Sequence, residues 1–308
     1  MSSTKLKGNL MLLLTAFIWG SAFVAQSVGM DYVGPFTFSA ARDVVAIIVL
    51  IPIVFFLSQQ SRSEKSGSFW QHLRPDKITL LGGVLCGLSL GVSDTLQQVG
   101  ISMTTAGKAG FITALYIVIV PLLGHFIGQK IPRIIWFCVL LAMAGFYLLC
   151  VNGDFSISFG DFLVFCCAIG FALHILIIDY YLKKKADSIK LSWVQFMLAF
   201  LFSAVLTVLF EAPTLTTIWN ARIPILYAGA LSSGVAYTLQ IVGQKYTDAT
   251  TATLLMSLES VFAALAGWLV LGEVMSAKEI TGCVLVFIAV ILAQVPISTL
   301  QAHFFAKK

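Results

Sequence analysis

Several charged and amide side chains lie inside long apolar runs of this 308-residue sequence. Asp94 and Gln97 are three residues apart and therefore share one face of a helix. Arg42 is followed directly by Asp43, and Glu259 lies well inside a run that contains no lysine or arginine at a similar depth. A charge at membrane depth costs about 2.5–3.5 kcal/mol and usually faces the interior of a helix bundle. These residues are therefore the first candidates for a functional site.

The charged residues allow more than one interpretation. Asp43 or Asp94 can neutralise Arg42 or Lys108 in a structural ion-pair network. The same groups could instead form a surface that binds anions or carboxylates, or a proton-linked gate. Lys108, at the start of its run, could also extend to the lipid interface. The sequence alone leaves these interpretations open.

Glu259 is the first candidate for proton coupling, with Asp94 second. Burial in hydrocarbon disfavours the ionised form of a carboxyl group that has no cationic partner. Such a group can carry a proton when the protein changes conformation. The alternative for Glu259 is a neutral, hydrogen-bonded packing role.

Aromatic and amide residues complete the predicted substrate site. Trp19 belongs to a helical stripe that also contains Thr15, Ala22 and Gln26. The side chains of Gln97 and Gln240 must find partners in hydrocarbon, either across a helix interface or in a cavity. His125 and His174 are interpreted as hydrogen-bonded packing residues. The predicted substrate-binding set is Trp19, Arg42, Asp94, Gln97, Lys108, Phe111, Tyr116, Tyr237 and Gln240.

Other kinds of chemistry lack their sequence signatures. The chain contains no H-E-x-x-H, G-x-S-x-G or Walker motif, so we predict no catalytic residues and no ATP site. Its six cysteines lie in or beside apolar runs and do not have zinc-ligand spacing, so no metal or other cofactor is expected. The net charge of +5 is spread over short segments, which is not the basic face that a nucleic acid needs.

The composition indicates an all-α membrane protein. Hydrophobic residues make up 59% of the chain and charged residues only 11%, whereas a soluble domain has about 25% charged residues. A membrane-spanning helix needs about 20 consecutive apolar residues. Ten such runs are present, and the first is long enough to be an uncleaved span rather than a signal peptide. The predicted spans are 10–28, 34–57, 78–99, 104–127, 132–151, 158–181, 191–210, 223–243, 249–271 and 277–296.

The distribution of basic residues predicts the orientation. With a cytoplasmic N-terminus, fifteen of the nineteen lysines and arginines fall in inner segments. Only Arg222 and Lys278 fall in outer loops, and Arg42 and Lys108 lie within spans. Because basic residues favour the cytoplasmic side, we expect a multi-pass protein of the plasma membrane with both termini in the cytoplasm.

The sequence contains an internal repeat. When it is shifted along itself so that Gly91 falls on Gly234, segment 91–100 matches segment 234–243 at seven of ten positions. This predicts two halves, 1–151 and 152–308, with five helices each. An odd number of spans makes the second half enter the membrane from the opposite side, which gives an inverted repeat of the kind found in secondary transporters.

The chain resembles the drug/metabolite transporter superfamily, EamA type, over about residues 8–296. In the second half the resemblance rests on the run Ser257–Gly267, on Leu271-Gly272-Glu273 and on Gly282. In the first half it rests on four segments, which are Trp19-Gly20, Ala40-Ala41-Arg42, Thr104–Phe111 and Pro121–Gly124. It implies a ten-helix fold with a central pocket that moves metabolites such as amino acids or drugs, often outward. Gln129 stands where the second half has Glu273, and His174 replaces a common aromatic or small residue.

We therefore expect a secondary active transporter that exports a small metabolite, such as an amino acid, an amine or a drug-like compound, by alternating access. Its partners would be that substrate, the lipid bilayer and protons. A nucleotide-sugar or sugar-phosphate exchanger is the main alternative, although it would need more cationic residues in the cavity. An intramembrane enzyme is a remote alternative. The sequence leaves the oligomeric state open and is compatible with a monomer.

Overall fold

The computed structural model describes residues 3–61, 73–104, 106–129, 131–150, 158–271 and 276–294. Within these ranges the chain is helical and contains no β-strand. The helices of the first half are α1 (Ser3–Gly29), α2 (Pro35–Ser61), α3 (Lys77–Ile101), α4 (Ala106–Thr113), α5 (Tyr116–Phe126) and α6 (Arg133–Cys150). Those of the second half begin with α7 (Phe159–Lys183), α8 (Ser188–Phe210), α9 (Leu215–Asn220) and α10 (Arg222–Leu226). They continue with α11 (Tyr227–Ala236), α12 (Tyr237–Gln244), α13 (Ala249–Met256), α14 (Glu259–Leu271) and α15 (Ala277–Gln294).

In the part of the chain that the structure describes, eight helical segments are long and apolar enough to cross a membrane. They correspond to the first four predicted spans and to the sixth through ninth. The fifth and tenth predicted spans fall on shorter apolar helices, Arg133–Leu148 and Ile280–Ala293, which pack against each other. This is an all-helical protein with eight candidate spans and is compatible with a ten-span arrangement.

Two of the spans are broken near their middle. The first break separates α4 from α5 at Ala114 and Leu115, and the second separates α13 from α14 at Ser257 and Leu258. The shift that aligns the sequence repeat also places the first break on the second. Broken helices at membrane depth expose backbone polar groups and are common at the binding sites of transporters.

A third span contains a π-helix. Gly87 and Gly91 of α3, spaced four residues apart as in an α-helix, pack against α8. The corresponding glycines of the second half, Gly229 and Gly234, pack against α2 and are spaced five residues apart. The spacing between the two glycines is thus one residue longer in the second half. Because α11 is a π-helix, in which hydrogen bonds join residues five apart, Gly229 and Gly234 both still face α2.

Carboxylates cap helices near the ends of the spans. Both oxygens of Glu211, which follows α8, accept backbone N–H groups of α2, from Phe36 at 3.0 Å and from Thr37 at 2.8 Å. This cap ties the start of α2 to the end of α8. Asp76 caps the helix that directly follows it, α3, by accepting the backbone N–H of Thr79. Hydrogen bonds from Thr79 lower the pKa of the exposed Asp76 carboxyl group. Such caps satisfy amide groups that have no partner within their own helix.

Candidate functional site

An internal cavity lies where helices of the two halves meet. It encloses about 470 Å³ of space free of atoms, including its open mouth. The residues that line it come from α1, α2, α3, α4, α5, α7, α11, α12 and α14. They are Trp19, Phe23, Gln26, Arg42, Asp94, Gln97, Thr113, Tyr116, Phe171, His174, Ile175, Ser232, Tyr237, Gln240 and Glu259.

A buried ion pair joins Arg42 of α2 to Asp94 of α3. The guanidinium group also donates a hydrogen bond to Gln26 of α1, at 3.3 Å from its Oε1. Arg42 is only 2% exposed, and both of its terminal nitrogens face partners within the protein. Asp43 is also buried and accepts a 3.4 Å hydrogen bond from Ser203 of α8. This group of charges therefore connects four helices, α1, α2, α3 and α8, at the edge of the cavity.

Aromatic rings form one wall. The rings of Trp19 and Tyr237 have their centroids 4.7 Å apart, and the indole N–H of Trp19 donates to the carbonyl oxygen of Ser232 at 3.4 Å. The Tyr237 hydroxyl donates to Asp94 at 3.4 Å. The ring of His174 lies edge-on to that of Tyr237, with centroids 6.0 Å apart. The wall is thus fixed by polar contacts at its rim and offers flat apolar faces to a ligand.

Glu259 lies on the other side, at the first residue of α14 after the helix break. It is 3% exposed and accepts a 2.9 Å hydrogen bond from the hydroxyl of Tyr116, which is the first residue of α5 after the equivalent break. Among the described residues, no lysine or arginine forms an ion pair with Glu259. The carboxyl group is therefore held by a neutral partner, in contrast to Asp94.

The two glutamines predicted from the repeat both line the cavity. The amide of Gln97 donates to the Thr113 hydroxyl at 3.1 Å. Gln240 is 1% exposed, and its Oε1 has no hydrogen-bond partner within the described residues. A buried acceptor without a partner is costly, so Gln240 is well placed to accept a hydrogen bond from a ligand.

Seven of the nine predicted substrate-binding residues lie on the cavity, and so does Glu259; the seven are Trp19, Arg42, Asp94, Gln97, Tyr116, Tyr237 and Gln240. Phe111 does not line it, because its ring packs against Phe146 at 6.1 Å between centroids. The side chain of Lys108 is outside the described part of the chain.

Sequence reasoning missed other residues of the cavity. Phe23 follows Trp19 by one helical turn, and this spacing could have revealed it. Phe171 and Ile175 of α7 have no comparable signal. The sequence predicts a packing role for His174, which does form a hydrogen bond to Gln195 at 3.0 Å while also lining the cavity.

Long apolar helices, with a cavity and buried polar groups among them, define a multi-pass membrane protein with an internal polar cavity. The sequence profile of the EamA-like transporter family matches residues 6–151 and 158–294. The chain therefore belongs to the EamA-like transporter family, within the drug/metabolite transporter superfamily.

Individual relatives agree with this membership. An uncharacterized transporter of Archaeoglobus fulgidus is 30% identical over 292 residues, which cover 94% of this chain and 86% of the relative. The uncharacterized transporter YoaV of Bacillus subtilis is 23% identical over 281 residues, which cover 89% of this chain and 92% of the relative. A solved crystal structure aligns with this chain over 96% of this chain and 97% of the other, with a TM-score of 0.75 and 17% sequence identity. This similarity supports the fold alone.

Proposed function

We propose that this protein is a secondary active transporter that exports a small metabolite across the cytoplasmic membrane by alternating access. The observation that carries the proposal is the cavity between the two halves, which combines aromatic walls with a buried carboxyl group, Glu259, that no described lysine or arginine neutralises. Transporter sites of this kind lie at the interface of two repeats near the bilayer midplane.

We further propose that the protein has ten spans in two inverted halves, 1–151 and 152–308. The packing of glycines supports a pseudo-twofold relation. A Cβ atom placed on Gly8 would lie 3.1 Å from the carbonyl oxygen of Gly243, and one on Gly160 would lie 3.1 Å from that of Gly100. Gly100 and Gly243 are equivalent positions of the sequence repeat, so the same contact is built once from each half. The two stretches that match the family profile divide the chain at a similar point.

The cavity favours a substrate that carries an amino group over one that carries a phosphate. Arg42 is the only lysine or arginine among the described residues of the cavity wall, and it is already engaged by Asp94 and Gln26. A phosphate would have to break this ion pair. In contrast, Glu259 and the free Oε1 of Gln240 are acceptors, and aromatic faces attract cations. An amine, an amino acid or a similar drug-like molecule therefore fits better than a nucleotide sugar or a sugar phosphate.

We propose that protons supply the energy and that Glu259 carries them. One elementary charge moved through 100 mV releases about 2.3 kcal/mol, enough for a concentration gradient of about fifty-fold. The Tyr116 hydroxyl can accept a hydrogen bond from the protonated carboxyl group or donate one to the ionised group, so it can partner Glu259 in both forms. Asp94 is the second candidate, although it is already engaged in an ion pair with Arg42.

The test is proton movement in proteoliposomes that contain a pH-sensitive dye and are exposed to a panel of amino acids, aliphatic amines and sugar phosphates. The wild type should move protons in response to amines or amino acids. The Glu259→Gln variant should still exchange the same compound between the two sides but should no longer accumulate it against a gradient. Asp31→Asn, at an exposed position outside the cavity, is the matched control and should behave as the wild type. Undiminished accumulation by Glu259→Gln would refute the role of this residue.

A further inference from the structure

Two tyrosine–carboxylate hydrogen bonds in the cavity connect positions that the repeat makes equivalent. Tyr116 donates to Glu259 at 2.9 Å, and Tyr237 donates to Asp94 at 3.4 Å. Each bond joins residues separated by 143 positions. In the first pair the tyrosine belongs to the first half of the chain, and in the second pair it belongs to the second half. The same pair is therefore built twice with the partners exchanged.

This arrangement determines where the pairs lie relative to the pseudo-twofold axis. A rotation that exchanges the halves moves each residue onto the position of its equivalent. Residues far from the axis are carried a long way, and only residues beside it can touch their own equivalents. Both hydrogen bonds must therefore lie next to the axis, and the cavity, which Tyr116, Glu259, Tyr237 and Asp94 all line, lies on it.

The position on the axis has a consequence for the transport cycle. In an inverted repeat, the inward-open and outward-open states interconvert when the two halves exchange conformations. The rotation that relates the two states exchanges the members of an equivalent pair, so the distance between them is the same in both. Contacts between residues that are not equivalent have no such constraint.

We infer that the Tyr116–Glu259 and Tyr237–Asp94 pairs are the fixed pivot of the transport cycle, in which each tyrosine is a positioning residue that holds its carboxylate in both open states. This inference rests on the proposed alternating-access function. Neither pair acts as a gate, because a gate must open on one side in each state. Glu259 thus keeps its partner while the access to it changes.

The two pairs differ in electrostatic surroundings, and this difference makes them separable by experiment. Asp94 faces Arg42, with Asp43, His174 and Cys167 also within electrostatic range. Glu259 faces the hydroxyl of Tyr116, with the uncharged Tyr237 and Cys167 farther away. Loss of one hydroxyl therefore removes the main polar partner of Glu259, whereas Asp94 keeps its ion pair.

The first experiment measures how proton-coupled transport depends on pH in the proteoliposome assay, with the compound that gives the strongest wild-type response. The hydroxyl of Tyr116 can pair with both forms of Glu259 but bonds the ionised form more strongly, so Tyr116→Phe should move the midpoint of the profile to higher pH by up to about one unit. Tyr237→Phe should leave the midpoint in place. Tyr147→Phe, at an exposed tyrosine of α6, is the matched control. A midpoint that does not move in Tyr116→Phe would overturn the positioning role.

The second experiment measures distances between spin labels in lipid nanodiscs at pH 5 and pH 8, after replacement of the six native cysteines. Labels at the equivalent positions Val92 and Val235, two residues before the Asp94–Tyr237 pair, should give one unchanged distance. Labels at Met103 and Leu215, which are exposed and not equivalent, should give two distances whose proportions change with pH. A Val92–Val235 distance that changes together with the Met103–Leu215 distance would refute the pivot alone. A single Met103–Leu215 distance at both pH values would refute alternating access and the pivot with it.

Discussion

The buried charges of Arg42, Asp43 and Asp94 predict that substitutions of these three residues lower the stability of the protein by different amounts. The three groups carry one positive and two negative charges when all are ionised, and all are at most 3% exposed. Arg42→Gln removes the only cation and leaves two carboxylates near each other. Asp94→Asn removes one carboxylate but leaves Asp43 beside the guanidinium group, as Asp43 interacts with Arg42 electrostatically. Asp43→Asn leaves the Arg42–Asp94 ion pair intact.

The magnitudes follow from the burial of these charges. Loss of one partner from a buried ion pair costs about 3–5 kcal/mol, because the remaining charge is buried without compensation. We expect Arg42→Gln at the upper end of this range and Asp94→Asn at the lower end. Asp43→Asn should change the free energy of unfolding by less than about 1 kcal/mol, because the Arg42–Asp94 ion pair remains and an amide oxygen can still accept the hydrogen bond from Ser203.

The free energies can be measured for the purified protein by titration of mixed micelles with a denaturing detergent. The double variant Arg42→Gln/Asp94→Asn should be more stable than the sum of its single effects predicts, by at least about 2 kcal/mol. Lys183→Gln, which breaks an ion pair whose lysine is 67% exposed, is the control and should cost less than about 1 kcal/mol. Additive effects in the double variant, or an Asp43→Asn effect as large as that of Arg42→Gln, would refute this account of the cluster.

Three further outcomes are expected. Trp19→Ala should abolish ligand-induced thermal stabilisation, because it removes the indole ring that forms the aromatic wall together with Tyr237. Stabilisation equal to that of the wild type would exclude this wall from the site. Gly100→Val should lower the thermal unfolding temperature, since a Cβ atom there would lie 2.4 Å from a side-chain atom of α7, whereas Gly110→Ala has its nearest neighbour at 3.9 Å and should be tolerated. Reporter fusions at Asp154 and Lys184 should report outside and inside respectively, and the reverse pattern would contradict the ten-span topology.

The sequence by itself determined the class of protein. Apolar runs of about 20 residues leave few alternatives to membrane-spanning helices, because the backbone must satisfy its hydrogen bonds within each helix. Charged residues within such runs identify the interior of the bundle, and Arg42, Asp94 and Glu259 do lie at the cavity. The repeat is visible because seven of ten positions, including the glutamines at 97 and 240, match when segment 91–100 is aligned with segment 234–243.

The tertiary structure decided which of these residues meet. In a membrane protein the helices are apolar on lipid-facing and buried faces alike, so the helical period does not reveal which face points inward. The sequence therefore predicts Phe111 at the cavity, but this residue packs against Phe146. The partner of Glu259 is distant along the chain, and only the packing of the two halves brings Tyr116 to it. A sequence records the residue types that a site needs, but the pairing of distant hydrogen-bond donors and acceptors follows from how the helices pack in three dimensions.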